Sequence, residues 1–147
     1  MMYEEKKQNL FDVPEDNILV QCISADFVMG AGIAVQFNRL FDTKNRLKAR
    51  YGNRVSTWDS SDQGGECIAD GRVYNLITKR NVWDKPTLQT MWTALCDLRR
   101  QVDAGGIKKI AMPLIGCGID RLNWNDVSRL VMKAFEDTDV EITVCRI

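Results

Sequence analysis

The sequence predicts a three-layer α/β domain in which a mixed, mostly parallel sheet lies between helices. Three observations carry that expectation. Apolar, β-branched runs alternate with stretches of helical spacing. The runs are apolar at nearly every position, as strands covered on both faces must be. One pair of runs flanks Asp70-Gly71, a hairpin signal that adds antiparallel pairing. With 147 residues the chain can build a real core but not two ordinary domains, so residues 1–147 read as one domain.

The elements follow in order. Ile-Leu-Val-Gln-Cys-Ile at 18–23 reads as a strand buried on both faces. After a glycine-containing loop, Ile33, Phe37, Leu40 and Phe41 recur at helical spacing, and the helix is expected to end near Tyr51-Gly52. Residues 52–65 are polar and rich in turn formers, hence a surface loop. Segments 66–70 and 72–78 form the hairpin. Residues 81–86 break the chain before Thr87, an N-cap residue. Leu88, Met91, Trp92, Leu95, Leu98 and Val102 then make one helical stripe, which Gly105-Gly106 stops. A strand is expected over 107–113, a helix around Val127, Leu130, Val131, Ala134 and Phe135, and a closing strand over 140–147. No element is read in residues 1–17.

Composition narrows the function. The chain is 45% hydrophobic and 27% charged, with 20 basic against 20 acidic residues. That balance argues against nucleic-acid or membrane binding driven by net charge. Two local basic clusters, 47–50 and 96–100, read as solvated helix faces. No apolar run reaches membrane-spanning length and no signal peptide is read, so a cytoplasmic monomer is the expectation. Five cysteines, scattered and odd in number, read as reduced thiols and not as a disulfide framework or zinc site. Histidine is absent, which removes Ser-His-Asp and Cys-His catalysis and most transition-metal sites. No metal and no cofactor are expected.

Three loops follow strands, at 24–32, 79–85 and 114–122. In open α/β sheets ligands bind beyond the carboxyl ends of the strands. The residues with chemical potential fall in these loops: Ser24, Asp26, Gly30, Ala31 and Gly32; Lys79 and Arg80; Gly116, Cys117, Gly118, Asp120 and Arg121. Gly30-Ala31-Gly32 enters a helix whose free N–H groups suit an anion. Gly116-Cys117-Gly118 has the composition of a second backbone nest. Neither is a GxGxxG or Walker A motif, and glycines after strands are often only turns. Lys79 is a nucleophile candidate if its amine is freed, with Asp120 as general acid or base. The alternatives are a structural ion pair or no contact at all, and spacing leaves these open. Cys117 lacks any base that would activate its thiol. Trp92 belongs to the core stripe and Trp124 to a helix start near the 114–122 loop. Trp58 and Trp83 lie in loops, where they either cover a ligand or cap the core.

Taken together, NLFDVP, QCISADFVMGAGIAVQF, LITKR, DKPT and MPLIGCGIDRLNW, in that order, closely resemble the macrodomain family. Within it they resemble the branch of terminal ADP-ribose protein glycohydrolases, from residue 9 to the C-terminus. The resemblance implies a mixed sheet between helices with ADP-ribose bound across the strand ends. It implies Lys79 as a nucleophile on the anomeric carbon of the distal ribose, and Asp120 as the group that assists proton transfer and resolves the lysyl adduct. It places Asn9 at the adenine and Ser24, Gly30, Ala31, Gly32, Ile33 and Ala34 along one side of the ligand, and adds Leu10 and Met29 to the ADP-ribose-binding residues. Ile115, Gly116, Cys117, Gly118 and Ile119 would wrap the diphosphate and distal ribose. The implied partners are ADP-ribose and ADP-ribosylated protein, with O-acetyl-ADP-ribose as a second ester substrate. ADP-ribosylated nucleic acid, the substrate of antitoxin-type macrodomains, is the alternative, and a non-catalytic reader is a third reading. One position departs from the family: an aspartate usually stands where this chain has Asn9, so the contact to the adenine amine loses its charge.

Overall fold

The computed structural model describes residues 1–58 and 64–146. Residues 59–63 of the loop read over 52–65, and Ile147, lie outside them. The described chain forms strands β1 (Met2–Lys7), β2 (Ile18–Ser24), β3 (Glu66–Asp70), β4 (Val73–Lys79), β5 (Lys109–Met112) and β6 (Glu141–Arg146), with helices α1 (Ile33–Phe41), α2 (Thr43–Tyr51), α3 (Leu88–Gly105) and α4 (Trp124–Phe135). The sheet order is β1-β6-β5-β2-β4-β3. Among the described residues only the β3–β4 hairpin pairs antiparallel. This is the expected mixed α/β architecture. Among the described residues no helix is long and apolar enough to cross a membrane.

Strand periodicity divides the core into two. Ile18 and Val20 of β2, Leu76 of β4 and Ile110 and Met112 of β5 pack with Met91, Leu95, Leu98 and Val102 of α3 and Val127, Val131 and Phe135 of α4. The intervening residues Leu19, Ile23, Val73, Ile77 and Ala111 face the other way, onto Phe37 of α1 and Leu47 of α2. Helices therefore cover both faces, each fully buried Leu or Phe contributing about 1.5–3 kcal/mol. Thr87 caps α3 as expected: its hydroxyl accepts the Thr90 N–H while Thr90 Oγ1 accepts the Thr87 N–H, both at 3.0 Å.

Two expectations are corrected. The helix anticipated from Ile33 to Tyr51 is two helices, broken where Asp42 takes a left-handed conformation (φ 53°, ψ 35°). The Asn38 side chain accepts the Lys44 N–H and so starts the second helix. Leu40, counted in the apolar stripe, is 52% exposed. Residues 2–7, to which no element was assigned, form an edge strand paired parallel with β6. Its mostly exposed, charged residues show no apolar alternation, so only backbone pairing makes it a strand.

Arg46 clasps the carboxylate of Asp70 with two hydrogen bonds, at 2.7 and 2.9 Å, and so ties α2 to the hairpin. The Arg46 guanidinium holds the buried Asp70 carboxyl below its ordinary range, so this stabilisation is complete at neutral pH and is lost as pH falls below about 4 through the lowered value. Asp70→Asn is expected to lower stability by roughly 1–3 kcal/mol at pH 7, measured by urea unfolding, and to have a much smaller effect near pH 3. The basic clusters read as solvated faces do pair with acids: Arg50 with Asp70, and Arg99 and Arg100 with Asp103, Asp137 and Asp97.

Candidate active site

β4, β2 and β5 are neighbours in the sheet and run parallel, so their carboxyl ends open on the same edge. The three loops that leave them line one cleft of about 1060 Å³. Ser24, Gly30, Ala31, Gly32, Ile33 and Ala34 form one wall, and Ile115, Gly116, Cys117, Gly118 and Ile119 the opposite wall. Asn9 and Leu10 lie at one end, and Lys79 and Asp120 stand on the same cleft. Met29 is the exception among the anticipated residues: its side chain is buried with Ile23, Phe27 and Leu47, behind the loop.

Both loops present backbone donors. Gly32 caps α1 with φ 63° and ψ −152°, a conformation essentially reserved for glycine, and no side chain caps the helix. In the first helical turn the Val35 N–H donates to Gly32 O at 3.2 Å, and among the described residues the N–H groups of Ile33 and Ala34, which line the cleft, have no acceptor. Across the cleft, Gly116 sits at φ +71°, and a Cβ there would stand 2.7 Å from the Met91 side chain. The chain turns back through Leu122 N–H donating to Gly116 O at 2.8 Å. Among the described residues the N–H groups of Gly116, Gly118, Ile119 and Asp120 have no acceptor. Two banks of such donors with one helix dipole behind them suit a diphosphate.

Lys79 Nζ donates to Asp120 Oδ1 at 2.6 Å. The lysine is only 8% exposed, so the pair forms at the floor of the cleft and not on the surface. The pairing that spacing left open therefore exists. Its backbone is held as well: a register shift between Ile23 and Ser24 sets Ser24 against Lys79, and Ala25 N–H donates to Lys79 O at 2.9 Å. Irregular pairing of this kind commonly re-aims a side chain beside a site.

Asp26 gains a definite place. Its carboxylate accepts the Ser24 hydroxyl and the Val28 N–H on one oxygen and the Val82 N–H on the other. Burial pushes its pKa up, but these three donors outweigh it and hold the carboxyl below its ordinary value. Asn9 shows a competing duty: its Oδ1 caps the 3₁₀ turn at Leu10–Asp12 by accepting the Phe11 N–H at 2.9 Å. Cys22, Phe11, Val28, Val82, Lys7 and Arg146 also line the cleft and escaped the sequence reading. Lys7 and Arg146 pair across β1 and β6, a strand pair with no sequence signal on its β1 side.

Trp58 packs on the core beside α2, whereas Trp83 is 78% exposed and does not cap the core. Trp124 packs on the core with Ile115 and donates its indole N–H to Glu5. The Cys117 thiol donates to Ile115 O, and burial pushes its pKa to about 11. At pH 8 about one molecule in a thousand then carries the thiolate. Iodoacetamide is expected to alkylate Cys117 on the order of 100-fold more slowly than a free thiol peptide at that pH, with a rate still climbing at pH 10; peptide mass spectrometry reads this. Rapid labelling at pH 8 would contradict it.

Comparison with known proteins bears on this site. No family model matches the chain. ADP-ribose glycohydrolase OARD1 of Bos taurus is 38% identical over 142 residues, spanning 94% of this chain and 87% of that protein. OARD1 of Homo sapiens is 37% identical with the same coverage. The DNA ADP-ribosyl glycohydrolase of Mycobacterium tuberculosis is 28% identical over 86% of this chain, which spans 37% of that longer protein. Among solved structures, the macrodomain of Mycobacterium tuberculosis DarG superposes with a TM-score of 0.77 at 25% identity, covering 99% of this chain and 98% of that one. Thermosipho africanus DarTG in complex with ADP-ribose superposes with a TM-score of 0.75 at 17% identity, over 99% of this chain and 43% of that one, which speaks to the fold alone. Identity to OARD1 on that scale, over nearly the whole length of both proteins and on a macrodomain sheet, shows that the chain belongs to the macrodomain family, in the branch that contains ADP-ribose glycohydrolase OARD1.

Proposed function

We propose that this protein, as one domain over residues 1–147, is an ADP-ribosyl hydrolase that removes mono-ADP-ribose from acidic side chains. The observation that carries the reading is the 2.6 Å contact between Lys79 Nζ and Asp120 Oδ1 on the floor of a cleft flanked by two banks of unpaired N–H groups. The donors on loops 30–34 and 115–119 suit the diphosphate, with the adenosine toward Asn9 and Leu10 and the distal ribose toward Lys79. Similarity to OARD1 supports the activity.

The chemistry follows from the pair. Asp120 takes a proton from the Lys79 ammonium, and the amine attacks the anomeric carbon of the distal ribose. A C–N bond forms, and the C–O bond to the acyl group breaks with its electrons going to the acyl oxygen. Asp120 returns its proton to that oxygen, so the acyl group leaves as a carboxylic acid and Asp120 is ionised again. Water then replaces the amine at the same carbon, its proton passing by way of Asp120 to the departing amine, so free ADP-ribose leaves and Lys79 returns as an ammonium beside an ionised Asp120. Lysine is suited to this because an amine is both a good nucleophile and a workable leaving group. O-acetyl-ADP-ribose, an ester of the same ribose, is a second expected substrate.

A nucleobase-linked ADP-ribose is the second reading, favoured by the similarity to DNA ADP-ribosyl glycohydrolases at the lower identity. Glutamate-linked mono-ADP-ribosylated protein and an ADP-ribosylated oligonucleotide, offered in parallel, separate the two by chromatography of released ADP-ribose. Release from the protein is the expected result. Release from the oligonucleotide alone would transfer the proposal to the second reading, and binding of ADP-ribose with no release from either would make the protein a reader.

A further inference from the structure

We infer that Asp26 is a positioning residue for this reaction, fixing the Ser24 hydroxyl as an acceptor toward the cleft and clamping the loop after Lys79 onto the loop after β2. The inference rests on the hydrolase reading for its kinetic consequences, though the clamp itself is geometric.

The Ser24 hydroxyl comes first. Asp26 Oδ1 accepts the Ser24 O–H and the Val28 N–H at 3.1 Å, and Oδ2 accepts the Val82 N–H at 2.9 Å. An ionised carboxylate has no proton to give, so the Ser24 proton is committed to Asp26. Ser24 Oγ then offers only lone pairs to the cleft that it lines. A hydroxyl rotor that would otherwise act as donor or acceptor is held to one role, which suits the O–H of a ribose.

The clamp is the second part. Residues 80–85 carry exposed Arg80, Val82, Trp83, Asp84 and Lys85, and the loop is braced internally by bonds between Asn81 and Asp84. Among the described residues, the Val82 N–H to Asp26 is the only hydrogen bond that joins residues 80–85 to another part of the chain. The residue next to Asp26, Ala25, holds the Lys79 carbonyl. Lys79 is thus pinned at its own carbonyl and again three residues later, both times by the 24–28 turn. That turn is itself tightly determined: Phe27 keeps a left-handed conformation at φ 61° with its ring fully buried and its N–H on Ser24 O. A bulky residue holds that conformation only where surrounding packing enforces it.

Asp26→Asn tests this with little change in shape. Whichever way the amide is turned, its NH₂ faces a donor, either at Val82 or at Ser24 and Val28, so at least one bond is lost. The kcat for release of ADP-ribose from the glutamate-linked protein is expected to fall roughly 10- to 100-fold, the scale of a misplaced reacting group, with a smaller rise in KM. Because Asp26 works partly through Ser24, Asp26→Asn with Ser24→Ala should be barely slower than Asp26→Asn alone. Hydrogen exchange supplies an arm that needs no turnover: the Val28 and Val82 amides should exchange faster in Asp26→Asn while the buried amides of Leu95 and Leu98 stay protected. Wild-type kcat in Asp26→Asn, or losses that multiply in full in the double variant, would overturn the positioning role. Failure of the wild type to release any ADP-ribose would instead overturn the hydrolase reading. Exchange would then decide the clamp alone, with faster exchange at Val82 supporting it and unchanged exchange removing it.

Discussion

Lys79→Ala is expected to cut ADP-ribose release from a glutamate-linked substrate by roughly 10⁴-fold or more, the scale of deleting a nucleophile from a catalytic unit. ADP-ribose affinity should change far less, by about tenfold at most, because the donors at 30–34 and 115–119 are untouched (tenfold corresponds to about 1.4 kcal/mol). Lys79→Arg is the sharper control. It retains the positive charge and a partner for Asp120, yet a guanidinium does not lose its proton in a protein and cannot attack carbon. Both variants should be inactive if the amine is the nucleophile. Activity in Lys79→Arg near that of the wild type would show that only charge is needed and would remove the covalent step. Calorimetry with ADP-ribose and a thermal melt separate loss of chemistry from loss of fold.

Asp120→Ala is expected to slow steady-state release by about 10²–10⁴-fold, the usual contribution of a positioned acid or base, and to change what accumulates. Without the carboxylate that draws a proton from water, the second half of the reaction should lag behind the first. Intact mass after reaction with substrate should therefore show protein carrying one ADP-ribosyl unit, mapped by fragmentation to Lys79. The double variant with Lys79→Ala should show none. An unmodified protein throughout, with the same slow release, would mean that loss of Asp120 stalls the first step more than the second, and would remove its role in resolving an adduct.

How far the sequence revealed this arrangement depends on the distance over which each signal acts. The strands β2, β4 and β6, the hairpin at Asp70-Gly71 and the cap at Thr87 were legible because apolar runs and turn residues act over a few positions. β1 was not, since an exposed charged edge strand is defined by its partner, β6, more than a hundred residues away. The break at Asp42 was hidden for a related reason: the Asn38 side chain that starts α2 does so by a contact six residues along, which helical spacing does not reveal. In the site, the glycine loops were visible as loops, but the Lys79–Asp120 contact spans 41 positions and the Asp26–Val82 bond spans 56. Met29 lies within a motif that otherwise faces the cleft, and only the packing of Phe27 and Leu47 shows that it turns inward. Asn9 was legible as a departure, though not as the cap of a turn.

The placement of β2 between β4 and β5 sets a length requirement on the nucleophile. Lys79 ends one of the outer two strands and the loop bearing Asp120 follows the other. Two inter-strand gaps therefore separate their parent strands, about 10 Å at the usual spacing. A serine or cysteine at position 79 would end several ångströms short of the aspartate, whatever its reactivity. Lysine bridges the gap because its four-carbon stem is long, and the floor of the cleft buries that stem. The sheet thus acts as a ruler, so position 79 selects for reach as much as for nitrogen, and an amine shortened by even one methylene would be expected to lose its grip on Asp120.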